Sequence, residues 1–282
     1  MREAPSETTN KPDADNTVAR NDDLQNPFPV VRTGIPLSAP VEWLRHGLDD
    51  YRACGFSSVF YGICFAAAGG LLLLAFRHAT QLISAVTTGF MLVGPFLAIG
   101  LYELSRLRER GETPRLVATL AVWRRNLSAI GIYSLIVIVI YLVWARASLV
   151  IFALFYQGGM PTLDSFITEI SRLDNIEFLL AYLVIGAFFA GLVFAFSVVS
   201  IPMMLDRNQD TVTAMLASFL ALIRNFPTLL LWGVLIALMV AIGIATAFIG
   251  LIVTMPIVGH ASWHAYRALI EPLPDTKTAV EN

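Results

Sequence analysis

Long apolar runs, each closed by a short burst of charge, set the rhythm of the chain. The first run, residues 56–76, holds no charged residue. At about 1.5 Å per residue it matches the ~30 Å hydrocarbon core of a bilayer. Arg77 and His78 break it, and residues 81–104 form the second run. So short a break predicts an antiparallel pair. The third run, residues 127–155, exceeds one crossing and contains Arg146. We place its span at 128–146, with Arg146 snorkelling to the interface. The fourth run is 178–205. Residues 228–269 would make roughly 60 Å of continuous helix, twice a bilayer core, so they must fold back. Gly243 and Gly250 set that turn at 245–252.

Three further stretches carry apolar residues at helical spacing among polar ones. Residues 41–51 put Trp43, Leu44, Leu48 and Tyr51 on one face. Residues 106–125 carry Leu116, Val117, Leu120 and Trp123 among six arginines. Residues 206–226 align Met215, Leu216, Phe219, Leu222 and Ile223. Each predicts an amphipathic helix on the membrane surface. The expected fold is therefore all-α: a polytopic membrane bundle of six transmembrane helices, arranged as three hairpins, each preceded by an amphipathic surface helix. Residues 41–106, 113–207 and 209–267 repeat one order: surface helix, span out, span back, proline, charge. VWRRN at 122–126 and LIRN at 222–225 echo each other, and Trp43 echoes Trp123. Such repeats imply growth by duplication and name no function.

Composition agrees with a lipid solvent. Of 282 residues, 56% are hydrophobic and 14% charged, where soluble domains run near a quarter charged. The formal net charge of -2 gives no bulk reason to expect nucleic acid as a partner. Residues 1–40 are rich in Pro, Asn, Asp, Glu and Thr and show no signal-peptide core. They are expected to be a disordered cytoplasmic tail. Residues 41–270 form the six-helix domain, and 271–282 a second short tail. Both lysines, Lys11 and Lys277, fall in these tails, and the body uses arginine alone. Arg45, Arg52, the 106–125 cluster, Arg207, Arg224 and Arg267 fall on one side of the threaded chain. Arg77, Arg146 and Arg172 fall on the other. The positive-inside rule places the rich side and both termini in the cytoplasm. Cys54 and Cys64, read as ten residues apart on one helix, would lie about 15 Å apart, too far for a disulfide.

Ionisable groups at membrane depth are costly and mark function, and here they are few. Glu103 ends the second span beside Arg106, and Asp206 and Arg207 follow the fourth. His260 lies deepest in the sixth, with His264 one turn on and Arg267 near the surface. Glu103, Arg106, Asp206, Arg207, His260, His264 and Arg267 form the candidate polar cluster at the cytoplasmic helix ends. Separately hydrated end-of-helix charges are the simpler reading of the same residues. His260 and His264, at i and i+4, are the pair a metal or haem edge would use. Their neighbours Trp263 and Tyr266 read instead as an aromatic belt of interfacial hydrogen-bonders. No metal and no cofactor is assigned. Pro95, Pro202 and Pro256 predict bends, and no phosphate loop, nucleophile elbow or zinc motif is present.

Tyr61-Gly62, GPFLAIGLYELSR at 94–106, FSVVSIPMMLDR at 196–207 and GLIVTMPIVGHASWHAYR at 250–267 resemble the domain of unknown function 2189, a family of proteobacterial integral membrane proteins. The resemblance covers residues 40–270, charged exits included. It implies a polytopic protein of the bacterial inner membrane and names no activity. Some relatives are labelled cytochrome c oxidase subunit I. A haem-copper core needs histidines on several helices, and this chain has four in all. The expected function is non-enzymatic: binding partners, or assembling or stabilising a membrane complex, with the bilayer and other inner-membrane proteins as partners. The alternatives are a transporter of a small solute and a haem- or metal-binding redox accessory.

Overall fold

The computed structural model describes residues 28–78, 83–155 and 176–272. Among the described residues there are ten α-helices: α1 (Ala39–Cys54), α2 (Phe56–His78), α3 (Ile83–Glu109), α4 (Leu116–Thr119), α5 (Leu127–Phe155), α6 (Ile176–Ser197), α7 (Ser200–Arg207), α8 (Thr211–Arg224), α9 (Phe226–Ala245) and α10 (Leu251–Leu269). A 3-10 turn, Val122–Asn126, precedes α5. Consecutive long helices pack in pairs: α2 with α3, α5 with α6, α9 with α10. Among the described residues, four stretches are long and apolar enough to cross a membrane: Phe56–Ala75, Leu116–Phe155, Ile176–Arg207 and Phe226–Ala245. Of the expected tails at 1–40 and 271–282, residues 1–27 and 273–282 lie outside the described residues.

α10 is the axis of the bundle. It packs against α1, α2, α3 and α9, and twelve of its 19 residues are buried. A helix enclosed by protein need not be apolar all round, and α10 carries His260, His264 and Arg267. Close approach requires small neighbours. A Cβ on Gly47 of α1 would stand 2.7 Å from the Ile257 carbonyl oxygen, and one on Gly62 of α2 would stand 2.1 Å from that of Ile252. The α9–α10 turn falls at residues 246–250, as its glycines predict.

Several local expectations change. α1 does not lie free on the surface. Its buried face is Trp43, Gly47, Asp50 and Cys54, because packing on α10 rewards close fit over bulk. Trp43 meets Trp232 of α9 edge-to-face at 5.7 Å. Gly55 (φ 50) ends α1, so Cys54 and Cys64 sit on different helices. Residues 106–125 form no continuous amphipathic helix. Pro114 and the free turn at Gly111 (φ 74) leave a one-turn α4 and the 3-10 turn. The fourth run is also not one helix, but breaks before Ser200. Pro202 supplies no amide hydrogen, so the helix before it loses a rung. One turn earlier, Ser218 of α8 bridges the opened Ala195–Val199 rung: its hydroxyl donates to the Ala195 carbonyl at 2.8 Å and accepts from the Val199 amide at 3.4 Å.

α8 is capped by Asp210, whose carboxylate accepts from the Thr213 amide at 3.0 Å. It buries its small residues, Ala214, Ala217, Ser218 and Ala221, beside Met215. Of the residues expected on one apolar side, Met215 is buried, while Leu216, Phe219 and Ile223 are exposed. With Val212 they make an outward stripe at i, i+4, i+7 and i+11, the form of a helix lying in the membrane interface.

Residues 28–38, inside the expected tail, are held in place. The Arg32 amide donates to the Leu269 carbonyl at 2.8 Å and the Glu271 amide to that of Val30 at 3.0 Å. Asn225 donates to the Arg32 carbonyl at 2.8 Å and accepts from the Ile35 amide at 3.1 Å. Composition misjudged this segment because its order comes from distant partners: hydrogen bonds to Leu269, Asn225 and Thr228, and a core that buries Val31.

Candidate functional site

Two polar chains meet at the end of α10. The first starts at Asp50, whose carboxylate is 3% exposed. Its Oδ2 accepts from the Ser105 hydroxyl at 2.6 Å and lies 2.9 Å from His264 Nε2. Its Oδ1 takes a salt bridge from Arg108. Ser105 Oγ also lies 2.7 Å from His260 Nδ1, and His260 Nε2 lies 2.8 Å from Ser58 Oγ. These contacts fix the proton positions. A carboxylate can only accept, so Ser105 spends its hydrogen on Asp50. Ser105 must then accept from His260 Nδ1–H, and neutral His260 Nε2 accepts from Ser58. Burial works against the Asp50 charge, but the hydrogen bonds of His264 and Ser105 outweigh it and hold the carboxyl near 2. Burial, and then the Asp50 charge, push the Cys54 thiol up to about 11, leaving it protonated and inert.

The second chain is ionic. Glu103, 2% exposed, accepts from Arg106 Nε at 2.7 Å and Nη2 at 3.1 Å. Arg125, from the 3-10 turn before α5, reaches Glu103 at 3.6 Å. Arg106 faces Asp206 at 4.0 Å, and Arg267 faces the same carboxylate at 3.7 Å. Tyr266 donates to Asp206 at 2.9 Å and accepts from Arg207 Nε at 3.1 Å. Arg267 and Trp263 both donate to Glu109 at 3.0 Å. Thus Glu103, Arg106, Asp206, Arg207 and Arg267 meet in one network around Tyr266. His260 and His264 belong to the other, and Ser105 and Arg106, adjacent on α3, join the two.

Sequence reasoning missed Asp50, Ser58, Ser105, Arg108 and Glu109. A signal for Asp50 existed: Trp43, Gly47, Asp50 and Cys54 lie at i, i+4, i+7 and i+11, and Gly47 marks that face as the close-packed one. Nothing comparable singles out Ser58 or Ser105.

The order hydroxyl, imidazole, hydroxyl, carboxylate is that of a nucleophile, base and orienting acid. Here, however, Ser58 and His260 are fully buried. Both His260 nitrogens are occupied by serine hydroxyls, and among the described residues no three His, Cys, Asp or Glu side chains are grouped to hold a metal ion. The described cavities lie elsewhere. One of about 500 Å³ separates α5 from α6, lined by Tyr141, Trp144 and Phe194 among others. Another, of about 460 Å³, lies across α6 and is lined by Ala190, Phe194, Leu230 and Gly233. Both linings are apolar. The polar chains act as a clamp across α1, α2, α3, α7 and α10, and a buried network so fully paired rigidifies what it joins.

Residues 82–206 match the family model of a predicted integral membrane protein, DUF2189. The matched DUF2189 segment contains Glu103, Arg106 and Asp206, and it leaves Asp50, His260 and His264 outside. No curated protein and no solved structure matches the chain. The DUF2189 match and the apolar helices agree that this is an integral membrane protein.

Proposed function

We propose that the protein is a non-enzymatic, six-span protein of the bacterial inner membrane that binds and stabilises a membrane partner. In this reading α3 and α10 complete three hairpins, and the arginine-rich end faces the cytoplasm with both termini. The observation that carries the partner role is the state of α6. It buries Phe178 and Ala195 alone, and apolar cavities flank it on both sides, sharing Ala190 and Phe194. The chain's own bundle thus covers this helix incompletely, whereas α10 is enclosed. A solute carrier would want polar groups at mid-membrane, and these cavity linings are apolar. A haem- or metal-binding accessory would want free imidazole nitrogens, and those of His260 are spent.

A photo-crosslinking residue at Phe188, 62% exposed on α6, is expected to yield a discrete adduct with another membrane protein in cells. The same probe at Leu71, 59% exposed on α2, should yield none. Equal or absent adducts at the two positions would sink the proposal.

A further inference from the structure

The arginines at the charged end divide into two groups. Arg106, Arg108 and Arg267 are bridged to carboxylates, Arg207 binds Tyr266 and the Glu271 carbonyl, and Arg224 binds the Val31 carbonyl. The link between α3 and α5 is different. Arg110 and Arg115 are exposed and bridge to no carboxylate among the described residues. Arg125 is 59% exposed and reaches Glu103 at 3.6 Å, at the long end for an ion pair. Residues 110–126 hold four arginines against one acid, Glu112. The outer face of α1 shows no such excess, because Arg45 and Arg52 sit beside Glu42 and Asp49 in sequence.

The same link exposes large apolar side chains. Val117 is 80% exposed and Leu120 48%. In water alone that exposure is unfavourable. The link leads directly into α5, an apolar crossing that starts at Leu127, so Val117 and Leu120 stand at the level where acyl chains begin. Guanidinium groups at that level meet phosphates, the pairing for which arginine is best suited.

We propose that residues 110–127 bind the headgroup of an anionic phospholipid, with Arg110, Arg115 and Arg125 on its phosphates and Val117 and Leu120 among its acyl chains. The apolar pair selects a lipid over a soluble anion, which would gain nothing from them. The excess of positive charge selects an anionic headgroup over a zwitterionic one. Arg110 and Arg115 lie outside both internal polar chains, Arg125 alone touches the second through Glu103, and the site rests on the membrane reading rather than on the partner role.

The test offers the purified full chain equal amounts of phosphatidylglycerol and phosphatidylcholine in mild detergent and measures the lipid retained by native mass spectrometry. Wild type should retain phosphatidylglycerol preferentially. Each arginine near a membrane surface contributes about a fivefold preference, so R110Q/R115Q should lower the enrichment by at least about fivefold. R45Q/R52Q should leave it unchanged, and V117N/L120N should lower retention of both lipids. Equal retention of the two lipids by wild type overturns the proposal, as does an enrichment that survives R110Q/R115Q. Displacement of the lipid by excess inorganic phosphate would reassign the arginines to a simple anion site and overturns it equally. If R110Q/R115Q fails to fold, wild type at high salt decides: the enrichment must disappear there, and its persistence overturns the proposal.

Discussion

Asp50 shows what one buried carboxylate does here. It joins Ser105 and Arg108 of α3 to His264 of α10 from its own place on α1. Removing it leaves a guanidinium and an imidazole without their acceptor, so D50A should destabilise the protein by about 3–5 kcal/mol, read from thermal unfolding in detergent. The pH dependence separates this from simple loss of packing. The native carboxyl titrates near 2 against an ordinary 3.8. Its folded form therefore favours the ionised state, and its contribution is complete above the ordinary value. That contribution disappears as pH falls from about 4 toward 2. Wild type should lose stability through that window, and D50N should lose markedly less. A D50N protein whose acid unfolding overlays that of wild type would refute this role.

At the scale of elements, α10 organises its neighbours through backbone proximity. A Cβ on Gly62 would stand 2.1 Å from the Ile252 oxygen, while one on Gly70, also on α2, would meet nothing within 4 Å. G62A should cost about 1–3 kcal/mol through overpacking. G70A should be neutral or slightly stabilising, since alanine is the better helix former. Thermal melts of the two variants check the contrast. The long helices were legible because hydropathy reports them directly: the α9–α10 turn, a helix within 206–226 and the charged exits all follow from pattern. The buried face of α1 was signalled only by its smallest residue, Gly47, and apolar bulk pointed elsewhere. Bulk pointed to Leu44, Leu48 and Tyr51, whereas contact with α10 chose Gly47 and Asp50. A hydrophobic pattern records the average environment of a face, and a close helix crossing is decided by the smallest residues on it. For the same reason a serine that closes a network, such as Ser105, looks in sequence like any other serine. The break before Ser200 depends on Ser218, eighteen positions downstream, and no local reading of Pro202 could supply that partner.

At the scale of the whole molecule, the paired charges of α1, α3, α7 and α10 gather at one end of the bundle, together with the segment 28–38. If that end faces the cytoplasm, an alkaline phosphatase fused at Glu112 should be inactive and one fused at Gly158 active, because the enzyme matures only outside the inner membrane. The reverse pattern would invert the proposed threading. The position of α10 also bears on how the protein is made. It is the last of the long helices described and carries two histidines and an arginine, yet the earlier α1, α2 and α3 pack around it. Until it arrives, Asp50 and Ser105 have no His264 or His260, and Gly47 and Gly62 line an empty groove. A chain cut before α10 would therefore leave Asp50, Ser58 and Ser105 without their histidine partners and the close-packing glycines of α1 and α2 without the helix they fit.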